Sequence, residues 1–243
     1  MRVIHPNNHA AAIKFWKKYL HSKPNGARTL GKAQAKYLED IFSPYYDLMV
    51  TYASDYEFPI PDGTKKIAVM WHQNFPWTEG FKVWQRVNNK LLKYEVDYFC
   101  NEQKIVDLIR EVGGSAYFLP RFIDTKMYPK LNAKRDIDTL WFGNKWNEFA
   151  NEFSLYCLTV DKPYWITHGQ FGCGDEVIHD NINRVETLKT LARAKTVWAI
   201  GISQLEAAYY GAKVVSYRGE VLPFYDEESI REYARKMLEE INK

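Results

Sequence analysis

The sequence predicts an α/β protein with mainly parallel sheets, and three observations carry that prediction. Short apolar runs rich in Val, Ile, Trp and Phe alternate along the chain with stretches of helical period, the order that parallel sheets crossed by helices require. Within one such unit the punctuation is complete: the apolar run 196–200 stops at Gly201, a helical pattern follows, and Gly211 ends it before a second apolar run at 214–217. The alternation also restarts after a loop at 120–136 that carries two prolines and several charges. Two domains are therefore expected, 1–135 and 136–243, facing each other across a cleft.

Residues 2–4 have the β-branched character of a short strand. Residues 10–21 repeat apolar side chains at helical spacing and stop at Pro24-Asn25-Gly26; residues 33–42 do the same and stop at Ser43-Pro44, where proline bars a further turn. Strands are expected at 47–52 and 67–72, the latter a nearly continuous apolar run of the kind a sheet covered on both faces needs. A helix at 81–92, a strand at 96–100, a helix at 102–112 and a strand at 116–119 complete the first half. The second half repeats the rhythm with a strand at 139–143, a helix at 146–157, a strand at 164–168, a glycine-rich loop and a helix at 184–194, before the unit around Gly201. Residues 226–242 close the chain as an amphipathic helix with Ile230, Tyr233, Ala234, Met237, Leu238 and Ile241 on one face. That helix is assigned to the second domain.

Composition narrows the setting. The three cysteines, Cys100, Cys157 and Cys173, are far apart and form no Cys-x-x-Cys pair, so neither a disulfide framework nor a zinc knuckle is expected. No window approaches the ~18 apolar residues of a membrane span, and the first residues lack the apolar stretch of a signal peptide. A cytoplasmic protein is expected. The formal net charge of +3 conceals an asymmetry: residues 1–135 hold 21 Lys and Arg against 13 Asp and Glu, while 136–243 hold 12 against 17. Lys14, Lys17, Lys18, Lys23, Arg28, Lys32 and Lys36 all precede the first acid, Glu39. Anionic partners suit such a stretch. On the helix at 10–21, Lys14, Lys17, Lys18 and His21 share a face, and Ile13, Trp16 and Leu20 share another. DNA phosphates fit the basic face, an anionic lipid surface fits it together with Phe15, Trp16 and Tyr19, and a solvated face over a core stripe is the plain alternative.

Chemistry is expected where strands end. A helix that starts at Gly201 offers free N–H groups of Ile202, Ser203 and Gln204 and the positive end of its dipole, a ready cradle for phosphate, with Glu206 one turn further in. Gly143, Asn144 and Lys145 follow the strand at 139–143, and Lys145 places a cation there that suits an anionic ligand. His168 and Gly169 begin a loop with Gly-x-x-Gly-x-Gly spacing, which is not the dinucleotide fingerprint. His72 ends the strand at 67–72; its imidazole titrates near neutrality, which makes it the candidate catalytic base. Asn74 and Trp77, just beyond, are read as acceptor contacts together with Lys14, Lys17 and Lys18. No Walker-type loop is present, and the Asp136-Ile-Asp138 pair precedes an apolar strand and is read as linker, so no metal site is assigned.

Four segments in order resemble the GT-B glycosyltransferases, enzymes with two Rossmann-like domains, and particularly their retaining members. Gly201-Ile202, Leu205-Glu206-Ala207 and Gly211-Ala-Lys-Val-Val215 are similar to that family's glycine turn, "LEA" helix and following strand. Leu119-Pro-Arg-Phe-Ile-Asp124 with Met127-Tyr-Pro129 is similar to its interdomain segment, Thr139-Leu-Trp-Phe-Gly143 to the first donor-domain strand, and Tyr98-Phe-Cys-Asn-Glu102 to a strand–helix pair before the linker. Trp198 stands where those retaining enzymes carry a first glutamate, eight residues before the second. The resemblance implies metal-independent transfer of a hexose or pentose from a nucleoside diphosphate sugar, a uridine diphosphate sugar by preference, with no prosthetic group. The donor-binding residues would be Gly143, Asn144, Lys145, His168, Gly169, Gly201, Ile202, Ser203, Gln204 and Glu206. The compact build and basic stretch resemble bacteriophage DNA-modifying enzymes, which implies a hydroxymethylated base in DNA as acceptor, made accessible by flipping. An anionic lipid or cell-surface glycan acceptor and a nucleotide-binding module without catalysis stay open, as, further back, does an epimerase of the same fold. Stereochemical outcome and oligomeric state are not specified.

Overall fold

The structure is a computed structural model, and it describes residues 1–4, 37–51, 60–71, 77–123, 125–142, 153, 159, 164–167, 177–180, 184–199, 202–216 and 223–243. It is α/β; the described residues form two five-stranded sheets, and every described ladder is parallel. The chain divides into two compact units. Among the described residues the first takes those up to Phe122 and again Tyr225–Lys243; the second takes Ile123–Phe224.

In the first unit β1 (Arg2–Ile4), β2 (Leu48–Thr51), β3 (Lys66–Trp71), β4 (Glu95–Cys100) and β5 (Ser115–Phe118) lie side by side in chain order. Alternate side chains go to opposite faces, as the strand period requires. Leu48, Val50, Ile67, Val69, Trp71, Tyr98 and Cys100 pack with Trp84, Val87 and Leu91 of α1 (Trp77–Leu91) and Ile105, Val106 and Ile109 of α2 (Gln103–Glu111). Met49, Ala68, Met70 and Phe99 face the other way, against Leu38, Phe42 and Phe122. Burial on both faces is why the strand at β3 reads as an unbroken apolar run. Gly114 lets α2 turn closely into β5: a Cβ there would lie 2.5 Å from Ile109 Cγ2 and 3.1 Å from the Trp84 ring.

The closing helix corrects an expectation. It runs from Glu227 to Ile241, as its period indicates, but packs in the first unit rather than the second, through Ile230, Ala234 and Leu238 on the Met49/Met70/Phe99 face. The apolar stripe records that the helix buries a face, not which sheet receives it. Asp226 caps it: its carboxylate accepts from Ser229 N–H at 2.9 Å while Ser229 Oγ accepts from Asp226 N–H at 3.0 Å. We label this helix α5. The division between units also falls earlier than 135/136, because Leu119 and Phe122 belong to the first core whereas Tyr128, Leu131 and Ala133 pack on the second.

The second unit holds β6 (Ile137–Phe142), β7 (Tyr164–Thr167), β8 (Val177–Asp180), α3 (Arg184–Arg193), β9 (Ala194–Ala199), α4 (Ile202–Tyr209) and β10 (Lys213–Val215), in the sheet order β10-β9-β6-β7-β8. The strand that comes first in this unit, β6, therefore lies in the middle. The chain builds outward through β7 and β8, then returns to add β9 and β10 on the other side. Strand β8 has no counterpart among the expected elements, since Val-Ile-His-Asp is too short and too polar to announce itself. The expected helices at 10–21 and 146–157 lie outside the described residues, apart from helical Phe153, and of the helix at 33–42 only residues 37–42 are described, as helix.

Candidate functional site

In a parallel sheet every strand delivers its carboxyl end to the same edge. In the second sheet β6 pairs with β9 through Trp141–Trp198 and Phe142–Ala199, and with β7 through Trp141–Trp165 and Phe142–Ile166. Three adjacent strands thus end together: β6 one residue before Gly143-Asn144-Lys145, β7 one residue before His168-Gly169, and β9 two residues before Gly201. The strand order reverses between β6 and β9, and open α/β sheets bind ligands outside the carboxyl ends at such a reversal. Residues 143–145, 168, 169 and 201 themselves lie outside the described residues, as do Lys14, Lys17, Lys18, His72 and Asn74. His72 directly follows Trp71, the last residue of β3, and Trp77 opens α1, its side chain not described.

Helix α4 carries Ile202, Ser203, Gln204 and Glu206. Two buried polar contacts fix it. Gln204 is 4% exposed and its Nε2 donates to Ser216 Oγ at 2.7 Å, which ties the first turn of α4 to the residue after β10. Glu206, also 4% exposed, accepts from the Tyr128 hydroxyl at Oε1 over 2.8 Å. Tyr209 and Tyr210 donate their hydroxyls to the carbonyls of Tyr128 and Pro129, each at 3.1 Å. Arg135 donates to the carbonyls of Ala194, at 2.9 Å, and Tyr210. The helix ends at Gly211, whose φ of 71° a side-chain-bearing residue rarely adopts; Ala212 N–H reaches back to Ala207 O at 3.0 Å and Gly211 N–H to Ala208 O at 2.8 Å, a Schellman closure.

Trp198, at the position of the family's first glutamate, is packed: Phe153 lies 5.4 Å from its ring and 5.6 Å from that of Trp141. Asp136 and Asp138 are each engaged by a cation, Arg193 at 2.7 Å and Lys195 at 2.5 Å. The Arg193 hydrogen bond holds the Asp136 carboxyl below its usual range. Among the described residues no group of three or more His, Cys, Asp or Glu is placed to hold a metal ion.

The carboxyl edge of the first sheet contains a group that sequence reasoning missed. Arg121 is 7% exposed, and burial pulls its pKa down to about 10 against the opposing pull of the Glu102 carboxylate 3.7 Å away. With its amide turned so that both partners are satisfied, Asn101 accepts from the Arg121 guanidinium and donates to the carbonyl of Trp71 at 3.2 Å. The strand end that leads into His72 is thereby held by a buried polar brace. Its signal in the sequence is a lone cation inside an apolar run, Phe118-Leu-Pro-Arg-Phe-Ile123. Tyr128 gave no comparable signal, because its partner Glu206 stands 78 residues away.

No described helix is long and apolar enough to cross a membrane. Compared with protein-family models and with curated proteins, the chain matches none.

Proposed function

We propose that the protein is a small GT-B-type glycosyltransferase whose second unit binds a nucleoside diphosphate sugar. The observation that carries this reading is the strand reversal between β6 and β9, with the three sequence-selected segments at 143–145, 168–169 and 201–204 following three neighbouring strand ends. A uridine diphosphate sugar is the favoured donor, and a hydroxymethylated base in DNA the favoured acceptor, met by Lys14, Lys17 and Lys18 with Asn74 and Trp77. In the reaction the bond from the anomeric carbon to the diphosphate breaks, the acceptor oxygen bonds to that carbon, and the acceptor proton passes to the His72 imidazole. Lys145 and the N–H groups at the start of α4 stabilise the charge that collects on the departing diphosphate. The packing of Trp198 in place of a carboxylate favours one other reading, a nucleotide-binding module without transfer.

Thermal shift with uridine, guanosine and adenosine diphosphates and their sugars tests the donor site. Stabilisation by a uridine nucleotide is expected; no shift with any of them rejects both readings. Release of nucleoside diphosphate upon addition of DNA containing hydroxymethylated bases then separates enzyme from module.

A further inference from the structure

Strands β3 and β4 are paired to their last residues, Trp71 with Cys100. Residues 72 and 101 are therefore the first past two neighbouring strand ends on the carboxyl edge of the first sheet. Asn101 is 3% exposed, and its amide is clamped on both sides: the oxygen accepts from the Arg121 guanidinium and the nitrogen donates to the Trp71 carbonyl at 3.2 Å. The reverse amide sets oxygen against carbonyl and nitrogen against guanidinium, so Arg121 dictates that the nitrogen faces Trp71. A peptide unit is planar, and the Trp71 carbonyl shares its plane with the N–H and Cα of residue 72. Whatever fixes that carbonyl fixes the direction in which His72 begins. Sealing the sheet end does not call for such polar groups. Leu119, Phe122 and Ile123, flanking Arg121 in sequence, are already buried and apolar, and a buried ion pair replaced by packed apolar side chains is often no less stable. The cost of burying the Arg121 cation, partly offset by Glu102 at 3.7 Å, thus falls at the strand end that leads to the candidate base.

We propose that Asn101 is a positioning residue for His72: held by Arg121, its amide fixes the Trp71–His72 peptide and so sets where the imidazole starts from the strand. This rests on the assignment of His72 as the base in the reaction above. Asn101 acts through the peptide and not on the substrate, and a misplacement of about 1 Å in catalytic geometry costs up to about a hundredfold in rate.

The test is Asn101→Asp in the full chain. Aspartate keeps the shape and an oxygen for Arg121 but, ionised, has no hydrogen to give to the Trp71 carbonyl. Three readouts are taken: the melting temperature, the histidine side-chain NMR spectrum, and release of UDP from UDP-glucose on DNA containing hydroxymethylated bases. The His72 signal among the six histidines is assigned by its loss in His72→Ala. Asn101→Asp is expected to melt within about 4 °C of the unchanged chain, since Arg121 keeps its partner. It should shift the His72 resonances more than those of the other histidines and lower kcat by about tenfold, with KM for UDP-glucose within about twofold. If the His72 resonances and kcat are both unchanged, Asn101 only braces the fold and the proposal fails. Should Asn101→Asp not fold, Arg121→Met decides, because it fills the buried space but removes the donors that turn the amide; unmoved His72 resonances in that variant overturn the proposal. If the unchanged chain releases no UDP, the catalytic reading falls, and the His72 resonances alone then decide whether Asn101 governs residue 72.

Discussion

In the first sheet each described strand lies beside its predecessor, from β1 to β5; in the second, the chain starts in the middle, builds one side and returns to build the other. Locally the two are close copies. The segment β4–α2–β5 and the segment β9–α4–β10 are both strand, short helix, glycine closure and strand, and both helices end in the same Schellman pattern at a glycine with positive φ, 82° at Gly113 and 71° at Gly211. What separates them is strand order. Among its described strands the first sheet has no reversal, and near the ends of β3, β4 and β5 sits the brace of Arg121, Asn101 and Glu102. The second sheet parts its crossovers at β6 and β9, the kind of reversal outside which open α/β sheets bind ligands. The donor assignment therefore depends on topology, while the catalytic assignment depends on one residue beyond β3.

That division can be broken outright. His72→Ala is expected to lower transfer by at least about a hundredfold, the contribution of a general base, with nucleotide affinity unchanged within about twofold. Glu206→Ala should do the reverse, weakening the donor complex by about tenfold with smaller loss in turnover of bound donor. Steady-state rates and nucleotide titrations on both variants check the split; equal loss of affinity in both would remove the distinction between the units.

The next largest effect concerns stability and lies in the first unit. Asn101→Leu takes away the amide that accepts from a buried guanidinium, and leaving a buried charged group short of a partner costs about 2–3 kcal/mol. Denaturant unfolding should show that loss. A change below about 0.5 kcal/mol would mean that the amide does not support Arg121 at all.

The sequence announced features that repeat at short range and was silent on features set by distant pairing. Two parallel α/β layers follow from alternation, and the helix at 227–241 follows from the spacing of Ile230, Ala234 and Leu238. The receiving sheet for that helix does not follow, since any apolar face would accept the same stripe. Strand β8 leaves almost no trace because only Val177 and Ile178 in it are apolar. The order β10-β9-β6-β7-β8 is invisible to periodicity, for each strand looks the same wherever it is inserted. Glu206 could be singled out by its place after Gly201, but its partner Tyr128 stands 78 residues away.

The smallest expected effects set the two amino edges against each other. In the first unit the Tyr46 hydroxyl donates to Asp97 Oδ2 at 2.7 Å, Ser115 donates to the other oxygen, and Lys66 lies 3.6 Å from Oδ2. Burial, reinforced by the Asp97 hydrogen bond, holds the Tyr46 phenol well above its ordinary range. A folded pKa raised above the unfolded value of about 10 gives stability that is complete below that pH and is lost as pH rises toward the folded value. The second unit instead closes its amino edge with the exposed pairs Asp136–Arg193 and Asp138–Lys195, which salt screens. Raising the pH from about 9 to 11 should therefore lower the protection of β3 to β5 against hydrogen exchange, and added salt should act on the start of β6 and β9. Tyr46→Phe, about 1 kcal/mol less stable at neutral pH for the lost hydrogen bond, should lessen the alkaline loss in the first unit without abolishing it, since burial also raises the Tyr98 and Tyr233 phenols and the Cys100 thiol there; an equally steep loss in that variant would assign it to those three groups.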